Sequence, residues 1–204
     1  MAQFISTHFL SRYTLRETQR GKSYLRRRQM RVHAMTDECI ARQLSTAQRS
    51  LQDLLLGLAS ADISPGSGVA GAVALALAAA CAGKAVTITL KRESKPEVFA
   101  QAQHQLAAIG RRALIAADED ARRFEDFTHA KDAPAATRLI QTGEGLEKLG
   151  EALTDILQTI ESHIDPVVAG DIAAAQALST AFRCIVLKNL KENKAAAGSV
   201  KGSA

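Results

Sequence analysis

The sequence predicts an all-α fold, an up-and-down bundle of helices, on three observations. Alanine, the strongest helix former, dominates a chain that is 47% hydrophobic but only 4% aromatic. Four prolines in 204 residues are too few to punctuate an all-β chain. Apolar residues recur at three- and four-residue spacing in one segment after another. The length suits one ordinary domain with a tail, and a charged fraction of 23% is no obstacle to a core.

The N-terminal residues 1–34 stand apart. They hold seven arginines, Lys22 and one acid, Glu17, so they carry net +7 while residues 35–204 carry −2. No continuous apolar core of a secretory signal is present, which argues against export. The Arg-rich, acid-poor composition resembles a mitochondrial transit peptide. Arg26-Arg27-Arg28 could equally contact phosphates of nucleic acid or a membrane surface. A third possibility is a translation start at Met35, where Thr36 can cap an acidic helix start. The expected organisation is a basic leader (1–34), a helical domain (35–194) and a flexible Ala/Gly/Ser/Lys tail (195–204). Contact with nucleic acid or a membrane is expected through the leader alone, if at all.

The helices follow in order. Ile40, Leu44, Leu51, Leu54, Leu55 and Leu58 mark a stripe over 37–60. Residues 61–68, Ala-Asp-Ile-Ser-Pro-Gly-Ser-Gly, are a turn cluster. A small-residue helix spans 69–90, with Lys84 its one charge. After a break at 91–95, Pro96 suits the first turn of a helix to about Phe127. Its inner face carries Phe99, Ala102, Leu106, Ile109, Ala113, Ala117 and Phe124. A loop near 129–134 and a short helical piece at 135–141 are expected next. Leu146, Leu149, Leu153, Ile156, Leu157 and Ile160 then mark a helix that stops at Asp165-Pro166. The last helix, 168–193, shows Ile172, Ala175, Leu178, Phe182 and Ile185.

Segment 69–90 is about long enough to span a bilayer. It is mostly alanine, contains Lys84, and lies among amphipathic helices, which fits the buried centre of a bundle. Cys39, Cys81 and Cys184 are widely spaced and odd in number, which argues against zinc and a disulfide framework. They read as small buried hydrophobes of a reduced, cytoplasmic protein. The five histidines have no metal-ligand spacing.

Two motifs are decoys. Gly66-Ser67-Gly68-Val69-Ala70-Gly71 matches GxGxxG but lacks the preceding strand of a dinucleotide site. Gly83-Lys84 lacks the earlier glycine and the following hydroxyl of a phosphate loop. What remains is Pro65-Gly66-Ser67-Gly68 opening a helix, either a tight interhelical turn or a site where free N–H groups meet an anion. Asp120 shares a face with Ala117 and Phe124, and Asp171 one with Ala175 and Leu178. Asp118 and Glu119 read as solvated acids. Buried charges are costly unless paired, so Lys84 is expected to pair with Asp120 or Asp171 inside the bundle, or to reach the surface.

The run Pro65 to Ala80, followed by Ile88-Thr89, resembles the formimidoyltetrahydrofolate cyclodeaminase / methenyltetrahydrofolate cyclohydrolase family. That family's signature is a Pro-Gly-Gly-Gly-Ser turn and an Ala-rich helix ending in Leu-Thr. Asp120-Ala-Arg-Arg-Phe124 is similar to its Asp-x-x-Ala-Phe element. Gly170-Asp171 resembles its Ser-Asp element, and Asn189-Leu190-Lys191 its closing Asn-Leu-Lys. Val69, Lys84, Arg123 and Ile185 depart from the pattern. The resemblance covers residues 45–194 and implies a helical domain that forms a homodimer and binds a tetrahydrofolate derivative. It further implies Asp120 and Asp171 as catalytic carboxylates. Substrate contacts would come from Pro65, Gly66, Ser67, Gly68, Lys84, Thr89 and Asn189, and no metal or redox cofactor is required. The reaction would be hydrolysis of 5,10-methenyltetrahydrofolate or release of ammonia from 5-formiminotetrahydrofolate. The other expectation is a non-catalytic helical module that binds folate or a protein.

Overall fold

The computed structural model describes residues 44–92 and 96–201. Among them are five α-helices and no strand: α1 (Leu51–Leu58), α2 (Ser67–Leu90), α3 (Pro96–Ala130), α4 (Ala133–Ile160) and α5 (Ala169–Lys201). Two 3-10 turns, Glu161–His163 and Pro166–Val168, lead into α5. Residues 1–43, which include Ile40, Cys39 and the basic leader, lie outside the described residues.

Helices α2 to α5 make an up-and-down bundle. α2 packs along α3 and α5, α4 packs along the same two, and α2 and α4 face each other across the diagonal. Short connections force neighbours to run antiparallel. Asp132 starts α4 by accepting a hydrogen bond from the Ala135 N–H (2.7 Å), with Pro134 in the first turn. Between α3 and α4, Lys131 takes a left-handed backbone (φ 50°), a common way to stop a helix.

The expected stripes form the core. Phe99, Ala102, Leu106, Ile109, Ala113 and Ala117 of α3 are buried, as are Leu146, Leu149, Leu153, Leu157 and Ile160 of α4. From α5 come Ile172, Ala175, Phe182, Val186 and Leu190. Two helices pass a length-and-hydropathy test for a membrane span: α2 and the stretch Pro166–Ser199. Half of the apolar window of α2 is inside the bundle, so the helix is one of four around the core with one face uncovered, and not the fully covered centre that its composition suggested.

Four expectations are corrected. The loop expected near 129–134 is confined to Lys131 and Asp132, and the short piece expected at 135–141 is part of α4, one continuous helix from Ala133. Two of its glycines, Gly143 and Gly150, are sites of close approach to α5, so packing outweighs their low helix propensity. A Cβ on Gly143 would stand 2.7 Å from Leu190 Cδ2. The tail expected from 195 is helical to Lys201, and Lys194 pairs with Glu144 of α4 (3.0 Å). The long helix expected over 37–60 is, where described, the short α1, started by the Ser50 side chain. Of its leucines Leu54 alone is buried, while Leu51 and Leu55 are 68% and 56% exposed. Finally, Cys81 is half-buried but Cys184 is exposed.

The glycine contacts make a stability prediction. A Cβ on Gly150 would overlap the ring of Phe182, which is fully buried and cannot withdraw. Gly150→Ala should therefore destabilise the fold by about 1–3 kcal/mol in urea unfolding, despite alanine's better helix propensity. Gly145→Ala, with open space around it, should instead gain up to ~1 kcal/mol.

Candidate functional site

The residues expected to act together divide between the two ends of α2. At its N-terminal end, Gly66 is the N-cap in an extended conformation, and no side chain caps the helix. The first-turn N–H groups are thus left without a side-chain acceptor. Ser67 Oγ donates to Asn189 Oδ1 of α5 (3.0 Å), fixing the turn to the last helix. Pro65 stands against α1, where a Cβ on Gly57 would come within 3.1 Å of its ring.

Asp120 of α3 meets the same turn. A Cβ on Gly68 would overlap its carboxylate, so only glycine leaves room for this acid beside the helix start. Asp120 has neither a hydrogen bond nor an ion pair among the described residues. Burial pushes its pKa up from the usual carboxylate value to about 6. This end of the bundle therefore offers a half-buried carboxyl that titrates near neutrality, unclaimed backbone donors, a serine and an asparagine.

A further anchor lies beside it. Asp118 is not the solvated acid the sequence suggested: its Oδ1 accepts from both the N–H (2.8 Å) and the hydroxyl (2.6 Å) of Thr46. This holds the chain ahead of α1 against α3, two residues from Asp120. Thr46 and Asp118 are 72 positions apart, and no local pattern links them.

Lys84, Thr89 and Asp171 sit at the other end. Gly68 and Lys84 are separated by about 24 Å along α2 at 1.5 Å per residue. Lys84 Nζ pairs with Asp171 Oδ1 (3.0 Å), one of the two partners expected for it. The pair is not internal, though: the lysine side chain is 62% exposed. Its place on the apolar α2 is on the outer face, where the chain is uncovered. Thr89 is fully buried, and its Oγ1 accepts from the Asp165 N–H (3.1 Å). The Asp165 carboxyl is held below the usual range by the Val167 N–H, then by Arg92 (3.0 Å). Within one chain, Asp120 therefore shares a site with Gly66, Ser67, Gly68 and Asn189, and Asp171 does not join it. Two surface hollows lie elsewhere, between α3 and α4.

Comparison with known proteins bears on this arrangement. A sequence model described as formiminotransferase-cyclodeaminase matches residues 50–197. The fold is similar to the crystal structure of formiminotetrahydrofolate cyclodeaminase from Thermotoga maritima, with a TM-score of 0.63 at 18% identity. That likeness covers 76% of this chain and 92% of the other. No curated protein matches the sequence.

The raised pKa of Asp120 fixes a pH response. Between about pH 4 and 6 the folded chain holds a proton that the unfolded chain has lost, so Asp120 makes stability fall as pH rises through that window. Asp120→Asn removes this cost. The variant should be more stable than the parent at pH 7.5, by on the order of 2 kcal/mol, with the difference vanishing below pH 4. Thermal unfolding of both across pH measures it; an unchanged or larger gap in acid contradicts the burial of Asp120.

Proposed function

The chain belongs to the formiminotransferase-cyclodeaminase family, and from that premise we propose that it is a cytoplasmic enzyme of one-carbon folate metabolism. Its reaction is hydrolysis of 5,10-methenyltetrahydrofolate to 10-formyltetrahydrofolate, or ammonia release from 5-formiminotetrahydrofolate. The observation that supports this most is Asp120, an unpartnered carboxyl of pKa about 6 against the glycine turn.

Both reactions pass through a carbon flanked by two nitrogens and carrying positive charge. An ionised Asp120 beside that carbon stabilises the cation in surroundings where water does not screen it. In the hydrolysis, water adds to the carbon and Asp120 takes its proton. The same carboxyl then returns the proton to the departing ring nitrogen as the C–N bond breaks, and the added hydroxyl loses its own proton to water to become the formyl carbonyl. In the deamination, a folate N–H closes on the protonated formimino carbon and gives its proton to Asp120, which passes it to the nitrogen that leaves as ammonia as its bond to carbon breaks. A group with a pKa near 6 can serve in either direction at neutral pH. Ser67 and Asn189 hold the turn, and the first-turn N–H groups of α2 suit a carboxylate of the substrate. Asp171, committed to Lys84 about 24 Å along α2, has no part in these steps within one chain.

The partner in this reading is a second copy. Leu77 on the outer face of α2 is 51% exposed, and Leu51, Leu55 and Leu56 of α1 are uncovered as well. Apolar area of this kind calls for cover.

Two measurements test the reading. The absorbance decay of methenyltetrahydrofolate, and ammonia release from the formimino derivative, should exceed the spontaneous rates. Asp120→Asn should lower the catalysed rate by about 10²–10⁴-fold, and Gly68→Ala, which displaces the carboxylate, should also impair it. Lys84→Met, at the other end, should leave it unchanged. For the hydrolysis, kcat/KM should rise with pH through about 6 as Asp120 ionises. A parent protein no faster than buffer in both assays would leave a non-catalytic folate-binding module instead. Sedimentation at micromolar concentration should give the mass of a dimer, and a monomer counts against the second-copy assignment.

A further inference from the structure

The face between α3 and α4 carries charge and apolar surface that the Asp120 chemistry does not use. Two open hollows, about 370 and 470 Å³, share Arg112 and Leu149 in their linings and so form one groove. Along α3 it runs from Val98 to Arg123, about 37 Å at the helical rise.

Its two halves differ in chemistry. The smaller is lined by Arg112, Arg123 and Arg138, with Glu119 its one acid. Arg112 and Arg138 make no ion pair among the described residues, and Arg123 has only a long contact with Asp126 (3.8 Å). Gln141 and Thr142 add neutral hydrogen-bonding groups. The larger half has Ala102, Ala108, Ile109, Ile156 and Ile160 in its lining, and Asp155 is its one acid.

Three guanidiniums around one hollow repel one another and are matched by one carboxylate. Arginine's planar donors suit carboxylate, sulfonate or phosphate oxygens. The adjoining half rests on the buried Ala102, Ile109 and Ile160, and its hydrocarbon open to water is that of Val98, Ala152 and, in part, Ala108 and Ile156. One kind of ligand answers both halves at once. We propose that the groove between α3 and α4 binds an elongated amphipathic anion, its charged head among Arg112, Arg123 and Arg138 and its apolar body along Val98, Ala152 and Ile156. The charge complementarity selects a small anion over a basic segment such as residues 1–34. The assignment does not rest on the folate reading, because Asp120 lines neither hollow.

The test uses the full chain and 8-anilinonaphthalene-1-sulfonate, which joins an anionic head to an apolar body and fluoresces when its rings leave water. Binding should saturate at one probe per chain and be displaced by decanoate, an aliphatic anion. Inorganic pyrophosphate, a head without a body, should displace it more weakly than decanoate. The double variant Arg123→Gln/Arg138→Gln should lose affinity by tenfold or more, since one charge-assisted contact accounts for about that factor. Ala152→Asp, an acid placed in the apolar half, should weaken binding comparably, whereas Asp120→Asn should leave it unchanged. Arg138 and Ala152 are exposed, so these variants should keep the parent's thermal unfolding. Equal probe affinity in the groove variants overturns the proposal, as does pyrophosphate displacing as well as decanoate. So does a change of sedimenting mass in the variants without a change in probe binding, which would make the groove a contact between copies. Loss of binding in Asp120→Asn would overturn the separation of groove and site.

Discussion

Close approach of helices at glycines is the constraint on which the rest of this structure depends. Aromatic side chains are few, so the bundle is not filled by large residues on every helix. Instead, single side chains press onto bare backbone. Ile185 of α5 comes within 3.0 Å of where a Cβ on Gly71 would stand, and Leu190 and Phe182 press on Gly143 and Gly150 of α4 in the same way. In those three places the guest is hydrocarbon, whose burial is favourable at about 25 cal/mol per Å². At Gly68 the guest is the carboxylate of Asp120. The packing device is the same and the energetic sign is reversed, because desolvation raises the cost of the charged form. A contact that costs stability where three similar contacts supply it is the kind of local conflict that functional sites retain.

The two ends of α2 treat charge in opposite ways. At the C-terminal end, Lys84 meets Asp171, and Arg92 meets Asp165. Both cations are more than half exposed, so water screens each pair, and the two mainly tie the start of α5 and the turn before it to the end of α2. The lysine stem lies along an otherwise apolar helix while its ammonium stays in water. At the N-terminal end, Asp120 receives no cation. With basic residues available on the same helix at 122 and 123, its isolation is a property of where α3 turns its faces. Arg123 lines the α3–α4 groove, and Asp120 faces α2.

Much of the bundle was legible because helical periodicity records which face is buried. The stripes of α3 and of the second half of α4 are buried as their spacing predicts. The continuous course of α4 was not legible, since no apolar stripe joins the piece at 135–141 to the one that begins at Leu146, and α5 packs on the intervening Gly143. Nor was the exposure of Leu51 and Leu55, because an apolar stripe says that a face seeks cover without saying what supplies it. For the site, the glycine turn, Asp120 and Asn189 were legible and lie together. Lys84 and Asp171 could be seen to match in charge. Their depth could not be read, because a helix apolar in sequence on all sides can still have one face uncovered. Two links had no local signal at all: Thr46 to Asp118, and the convergence of Arg112, Arg123 and Arg138 from two helices.

Asp118 and Asp120 show how a helix separates roles over two positions. Residues two apart on an α-helix point about 200° from one another. One carboxylate of α3 therefore faces the chain ahead of α1, and the other faces the start of α2. Asp118 accepts two hydrogen bonds from Thr46 at one oxygen, which commits it to holding that chain in place. Asp120 has received none, although the uncapped first turn of α2 lies beside it. A carboxylate already supplied with donors has little to offer a ligand. One that is half-buried, unpaired and near its titration point gains most when a cationic carbon or a proton donor arrives. Neighbouring acids of one charge type on one helix are thus divided between architecture and chemistry by what each of them faces.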